Sequence, residues 1–88
     1  MITVFTRRFS KDLDKIALSS VSSGIAEVIE DVEKAHSLSD IKNVKKLKGF
    51  SNAYRIRIGD YRIGVTFENN IVKFARIAHR KEIYKRWP

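Results

Sequence analysis

The sequence predicts an α+β fold: two N-terminal helices on one face of a mostly antiparallel, four- to five-stranded sheet, with an open basic face opposite. Three observations predict it. Apolar residues recur at helical spacing only in the first third of the chain. From Val44 onward they alternate, and two tight-turn signals, Gly59-Asp60 and Asn69-Asn70, punctuate the alternation. The net positive charge lies in this second region.

Each element has its own reason. Ile2–Thr6 is short and β-rich, a first strand. Phe9, Leu13, Ile16 and Ala17 recur on one helix face, and Ser19-Ser20 breaks the pattern. Val21, Ile25, Val28, Ile29 and Val32 form a second apolar stripe, with Glu27, Glu30, Asp31, Glu33 and Lys34 opposite. Gly24 blurs where that helix starts. The two helices are expected to pack as an antiparallel pair. His36 to Asn43 is a connector, Val44–Leu47 a short strand ending before Gly49. Ala53–Ile58, Tyr61–Glu68 and Ile71–His79 are the main strands, and Arg80–Trp87 is a charged tail of about one helical turn. The 88 residues form one domain, burying about 60–65% of the unfolded surface.

A two-residue turn at Gly59-Asp60 fixes the register of the central hairpin. Ile58 then faces Tyr61, Arg57 faces Arg62, and Arg55 faces Gly64. Tyr54, Ile56, Ile58, Tyr61, Ile63, Val65 and Phe67 share the helix-covered side; Arg55, Arg57 and Arg62 share the other. Gly64 leaves space beside Arg55 on that side. A two-residue turn at Asn69-Asn70 sets Phe67 against Val72 and Val65 against Phe74. Unbroken alternation would then put Lys73, Ala75, Ile77 and His79 on the arginine side, and Arg76 on the core side, within reach of a helix acid. A bulge would shift that parity.

The formal net charge is +8, distributed as −2 over residues 1–40, +6 over 41–62, −1 over 63–72 and +5 over 73–88. This asymmetry points to a polyanion, nucleic acid first and an acidic protein second, against the plainer reading of a solvated surface. The absence of cysteine excludes disulfides and thiolate metal sites and fits a reducing cytoplasm. No apolar run approaches the ~20 residues of a membrane span. The N-terminus places apolar residues before charges, the reverse of a secretory signal.

No Cys/His cluster, phosphate loop or Ser–His–Asp set stands out, and no cofactor is implied. The acidic residues fall mainly on the second helix, away from the basic sheet. Arginine is what the chain offers instead. Like charges directly across a ladder destabilise it, so Arg57 against Arg62 suggests an anion held between them. Arg55, Arg57, Arg62 and Arg80 suit bidentate grips on phosphate, and Tyr84 and Trp87 offer rings for a base. Lys42, Lys45, Lys46, Lys48, Lys73 and Lys81 supply sequence-independent attraction to RNA. Plainer roles compete: Tyr54, Tyr61 and Trp87 as packing residues, His36 as an exposed connector residue.

Three segments together carry a resemblance. Lys46-Leu47-Lys48-Gly49, the hairpin Tyr54-Arg-Ile-Arg-Ile-Gly-Asp-Tyr-Arg62, and Ala78-His-Arg-Lys-Glu-Ile-Tyr84 resemble the RelE/ParE superfamily, the toxin halves of type II toxin–antitoxin pairs. The likeness covers nearly the whole chain. It implies a cytoplasmic, metal-independent endoribonuclease that cuts messenger RNA in the ribosomal A site by 2′-hydroxyl attack, with a cognate antitoxin as partner. The family's functional positions fall on Arg55, Arg57, Arg62, Arg80 and Tyr84. The best-known ribosome-dependent members carry lysines where this chain has Arg55 and Arg57. Arginine as a residue type stays protonated and makes a poor general base. His79 is then the candidate base, the competing reading being a strand-end histidine with a structural hydrogen bond. Two other functions stay open: a ParE-type inhibitor of DNA gyrase without enzymatic activity, and a degenerate, non-toxic homologue that binds only antitoxin or RNA.

Overall fold

The computed structural model describes residues 1–16 and 21–88. Ala17, Ser19 and Ser20, expected at the end of the first helix and in the break after it, lie outside the described residues. In order come β1 (Ile2–Phe5), α1 (Arg7–Ile16), α2 (Ser22–Lys34), a 3-10 turn (Leu38–Asp40), β2 (Val44–Lys46), β3 (Ala53–Ile58), β4 (Tyr61–Glu68), β5 (Ile71–His79) and α3 (Ile83–Arg86). The five strands form one sheet in the order β1-β5-β4-β3-β2. Only β1, parallel to β5, departs from antiparallel pairing. α1 packs chiefly on β5, and α2 on β1. Phe9, Ile25 and Val32 from these helices meet Ile56, Ile63, Val65, Val72, Phe74 and Ile77 in a single core.

Turn chemistry sets the register. Gly59 has φ 56°, and Asn69 and Asn70 have φ 52° and 63°, as tight hairpin turns require. Ile58 pairs with Tyr61, Arg57 with Arg62 and Arg55 with Gly64, as the alternation predicts. Val65 pairs with Phe74 and Phe67 with Val72, also as predicted. Tyr54 and Tyr61 pack against the core.

Beyond Phe74 the predicted parity fails. The β4–β5 ladder shifts between Gly64 and Val65, with Ala75 as the extra residue. Ile77 therefore pairs with Ile63 in the core, and His79 pairs with Tyr61. Ala78, opposite Arg62, takes the place on the arginine side that Ile77 and His79 were expected to share.

Distant groups hold this bulge. Thr6 Oγ1 donates to the Ala75 carbonyl at 2.9 Å and accepts from the Phe9 N–H at 3.1 Å, so it also caps α1. Asp12 of α1 accepts from the Ile77 N–H at 3.0 Å, where β1 has ended and no strand is left to do so. The same carboxylate takes two bonds from Arg76, Nε at 2.8 Å and Nη2 at 3.2 Å. Arg76 thus finds the helix acid expected for it, although the register sets it opposite Gly64.

At the other end of the helical layer, the Met1 ammonium donates to the Val32, Glu33 and Ala35 carbonyls at 3.3, 3.0 and 2.9 Å, positive charge at the negative end of α2. On the outer face of α2 a 2.8 Å bond from Lys34 holds the Glu30 carboxyl below its ordinary range, and Lys34 is raised in turn. Both groups are exposed, so this pair adds little to stability.

The Asp12–Arg76 pair is buried, with side chains 8% and 12% exposed. Asp12→Ala leaves a guanidinium and an N–H without an acceptor, and should lower the unfolding free energy by about 3 kcal/mol. Asp12→Asn keeps an acceptor for Ile77 and should cost less. Urea unfolding followed by circular dichroism measures both.

Candidate functional site

The site is built on β2, β3 and β4 and closed by α3. Arg57 and Arg62 stand directly opposite each other on the face away from α1 and α2. Arg55 stands between Lys45 of β2 and Gly64 of β4. Arg55, Arg57 and Arg62 line a cleft of about 360 Å³ with Asn43, Lys45 and Tyr84.

Neutral acceptors orient these guanidinium groups. Arg62 Nη1 donates to the carbonyls of Gly59 at 2.9 Å and Tyr61 at 2.8 Å. Arg57 Nη2 donates to Asn43 Oδ1 at 3.3 Å. Arg55 lies 4.5 Å from the centroid of the Tyr84 ring, a cation–π contact. Among the described residues none of the three forms an ion pair, whereas Arg76 does. Their charge is aimed and left unneutralised.

α3 is four residues long and cannot stand alone. Fully buried Ile83 anchors it. Trp87 closes its end, with Nε1–H donating to the Tyr54 carbonyl at 3.1 Å. A Cβ on Gly64 would fall within the Trp87 indole. The space predicted beside Arg55 is therefore filled, and Trp87 is a packing residue. This anchoring leaves Tyr84, 73% exposed, over Arg55.

Arg80 lies at the adjoining end. Its N–H donates to the Asp60 carbonyl at 2.7 Å, and its Nε is 3.8 Å from Asp60 Oδ1. Arg57, Arg62 and Arg80 line a second cleft of about 640 Å³ with Lys42, and Glu27 and Asp31 of α2 form part of its wall. The acidic helix is therefore not remote from the basic sheet, as expected, but borders it. Lys42, between the 3-10 turn and Asn43, lines this cleft with residues of α2.

His79 is not gathered into either cleft. Its ring meets Tyr61 edge-on with centroids 5.7 Å apart, and Nδ1 accepts the Lys81 N–H at 3.2 Å. That is the structural hydrogen bond of the plainer reading. Lys45, Lys46 and Lys48 line a third cleft beside Tyr84. Lys73 pairs with Thr66, four residues along β4 from Arg62, about 13 Å at the usual strand rise. Lys81 is exposed in the turn before α3 and, like Lys73, lines none of the three clefts. Sequence reasoning missed Asn43, which holds Arg57 from both backbone and side chain. Its one signal was Asn in a connector, tolerant of the φ of 63° it adopts.

Residues 3–84 match the family model for the ParE toxin of type II toxin–antitoxin systems. The chain belongs to this family, within the RelE/ParE superfamily, as a toxin of a toxin–antitoxin pair. Toxin RelE3 of Methanocaldococcus jannaschii is 39% identical over 89 residues, spanning 100% of both chains. A chain in the crystal structure of a RelB–RelE antitoxin–toxin complex from Methanococcus jannaschii superposes with a TM-score of 0.81 at 37% identity, over 97% of this chain and 99% of that one. The E. coli DinJ–YafQ complex shares the fold alone, with a TM-score of 0.72 at 10% identity over 93% and 96% of the chains.

Gly64→Ala should unseat Trp87 and cost about 1–3 kcal/mol. The check is a red-shifted tryptophan emission together with a lowered melting temperature.

Proposed function

We propose that this toxin is a ribosome-dependent endoribonuclease acting on messenger RNA in the A site of the cytoplasmic ribosome. The observation that carries the proposal is the convergence of Arg55, Arg57, Arg62 and Tyr84 on one cleft, with none of the three guanidinium groups in an ion pair among the described residues. The RNA 2′-oxygen attacks the adjacent phosphorus and the P–O5′ bond breaks, leaving a 2′,3′-cyclic phosphate and a 5′-hydroxyl. Solvent water takes the 2′-hydroxyl proton and returns one to the 5′-oxygen, so the step is proton-neutral overall. Arg57 and Arg62 grip the non-bridging oxygens and stabilise the charge that develops on them. Tyr84, backed by Arg55, stacks on a neighbouring base. Arg80 reaches the same phosphate by exchanging its exposed, 3.8 Å contact with Asp60.

No acidic side chain lines the arginine cleft, so its donor set suits an anion and not a hard cation. Among the described residues no group of three or more His, Cys, Asp or Glu side chains is placed to hold a metal ion. We assign His79 a role in fixing the β5–α3 turn, and the rate enhancement to electrostatic stabilisation by the arginines. Lys42 and Lys45 line the first two clefts and give RNA a footing there. A cognate antitoxin is the partner, in keeping with the RelB–RelE relative.

Arg62→Ala should reduce cleavage at least 100-fold while leaving the melting temperature within a few degrees. Arg80→Ala should reduce it similarly. His79→Gln should lose less than tenfold; a loss equal to that of Arg62→Ala would restore His79 as the base. Primer extension on messenger RNA after brief induction reads all three. Frame-following cuts support the nuclease. Filamentation with DNA-damage signalling and no cuts would support the gyrase-inhibiting alternative that the family model's ParE name keeps in view.

A further inference from the structure

Phe50 is 48% exposed in the loop between β2 and β3. One exposed phenylalanine is ordinary. Its surroundings are not. It follows Gly49, whose φ of 84° turns the chain there, and it lines a cleft of about 400 Å³ with Lys45, Lys46, Lys48, Arg55, Tyr84 and Trp87. No acidic side chain lines this cleft. The other exposed phenylalanine, Phe5, has Phe74 and Phe9 rings 5.2 and 5.8 Å away; among the described residues no ring stacks on Phe50.

Arg55 and Tyr84 line both this cleft and the arginine cleft, so the two share a wall. Along β3, Arg55 stands two residues from Arg57, about 6.6 Å at the usual strand rise. Lys45 continues the row as the direct partner of Arg55. The cations thus run from the phosphate grip towards an unpartnered aromatic ring. Cations along a groove with free ring faces are what single-stranded nucleic acid needs, because every base has a face to stack.

We propose that Phe50 is a stacking platform for a base of the same RNA strand, next to the nucleotide at the cut, with Lys45 and Lys48 on the intervening phosphate. The inference rests on the nuclease reading above and extends it to the flanking substrate.

The test uses the full chain and a short RNA with a 2′-deoxy sugar at the intended cut and 2-aminopurine at the flanking position. At fixed salt, the wild type should quench the fluorophore. Phe50→Ala should abolish the quenching and weaken binding about tenfold, and Phe50→Trp should restore both. Since Phe50 is half exposed, all three proteins should show the same circular dichroism. Unchanged quenching and affinity in Phe50→Ala would falsify the assignment, and so would absence of quenching by the wild type. Displacement of the probe by polyglutamate but not by unlabelled RNA would give the cleft to an acidic protein segment and overturn it too. A wild type that quenches the probe but leaves translated messenger RNA uncut sinks the nuclease reading alone.

Discussion

One buried carboxylate, Asp12, fixes the half of the sheet that borders the arginine cleft. β1 is four residues long and releases β5 after Phe74. Without a substitute, the Ile77 N–H would be buried and unpaired on that edge, at a cost of about 1–3 kcal/mol. Asp12 takes that bond and neutralises Arg76. Thr6 takes the carbonyl that the bulge frees. With the bulge held, Ile77 enters the core, Ala78 comes to lie opposite Arg62, and the chain leaves the sheet at His79. A small residue opposite Arg62 leaves its guanidinium room to turn towards the Gly59 and Tyr61 carbonyls. The exit at His79 delivers Arg80 to Asp60 and Tyr84 to Arg55.

The arginines divide by their partners. Arg76 is buried and matched to a carboxylate, so it serves the fold. Arg55, Arg57 and Arg62 are matched to a ring, an amide oxygen and two carbonyls. These acceptors fix direction and leave the charge in place. A carboxylate in the same position would fix direction and also cancel the attraction for phosphate. The Arg57–Arg62 repulsion is the cost of that arrangement, and solvent screening together with the surrounding strand pairs keeps it tolerable.

Much of this was legible in the chain because it is local. Two tight turns and strict alternation fixed five cross-strand pairs, among them Arg57 with Arg62. The bulge was not legible, because the groups that hold it, Thr6 and Asp12, are more than 60 residues away in sequence. Nor was the fate of Gly64. Its missing side chain reads locally as open space, and a tryptophan 23 residues later fills it. His79 followed from the bulge: a one-residue slip carries every later side chain to the other face. The border between α2 and the arginines escaped for the same reason, since no periodicity tells how far a helix end overhangs a hairpin.

That border bears on how charge is spread across the sheet. Glu27 and Asp31 share a cleft wall with Arg57, Arg62 and Arg80, yet the next cleft along, with Arg55, Tyr84 and Lys45, has no acidic side chain. A polyanion crossing the sheet meets attraction on one side of the Arg57–Arg62 pair and mixed charge on the other. Carboxylates accept hydrogen bonds and repel phosphates. An anionic group is therefore drawn more strongly to Arg55 and Lys45 than to the cleft beside α2, where Glu27 and Asp31 offset part of the attraction of Lys42 and Arg80. The net charge of +8 attracts polyanions in general, and the acids of α2 make that attraction uneven across the sheet.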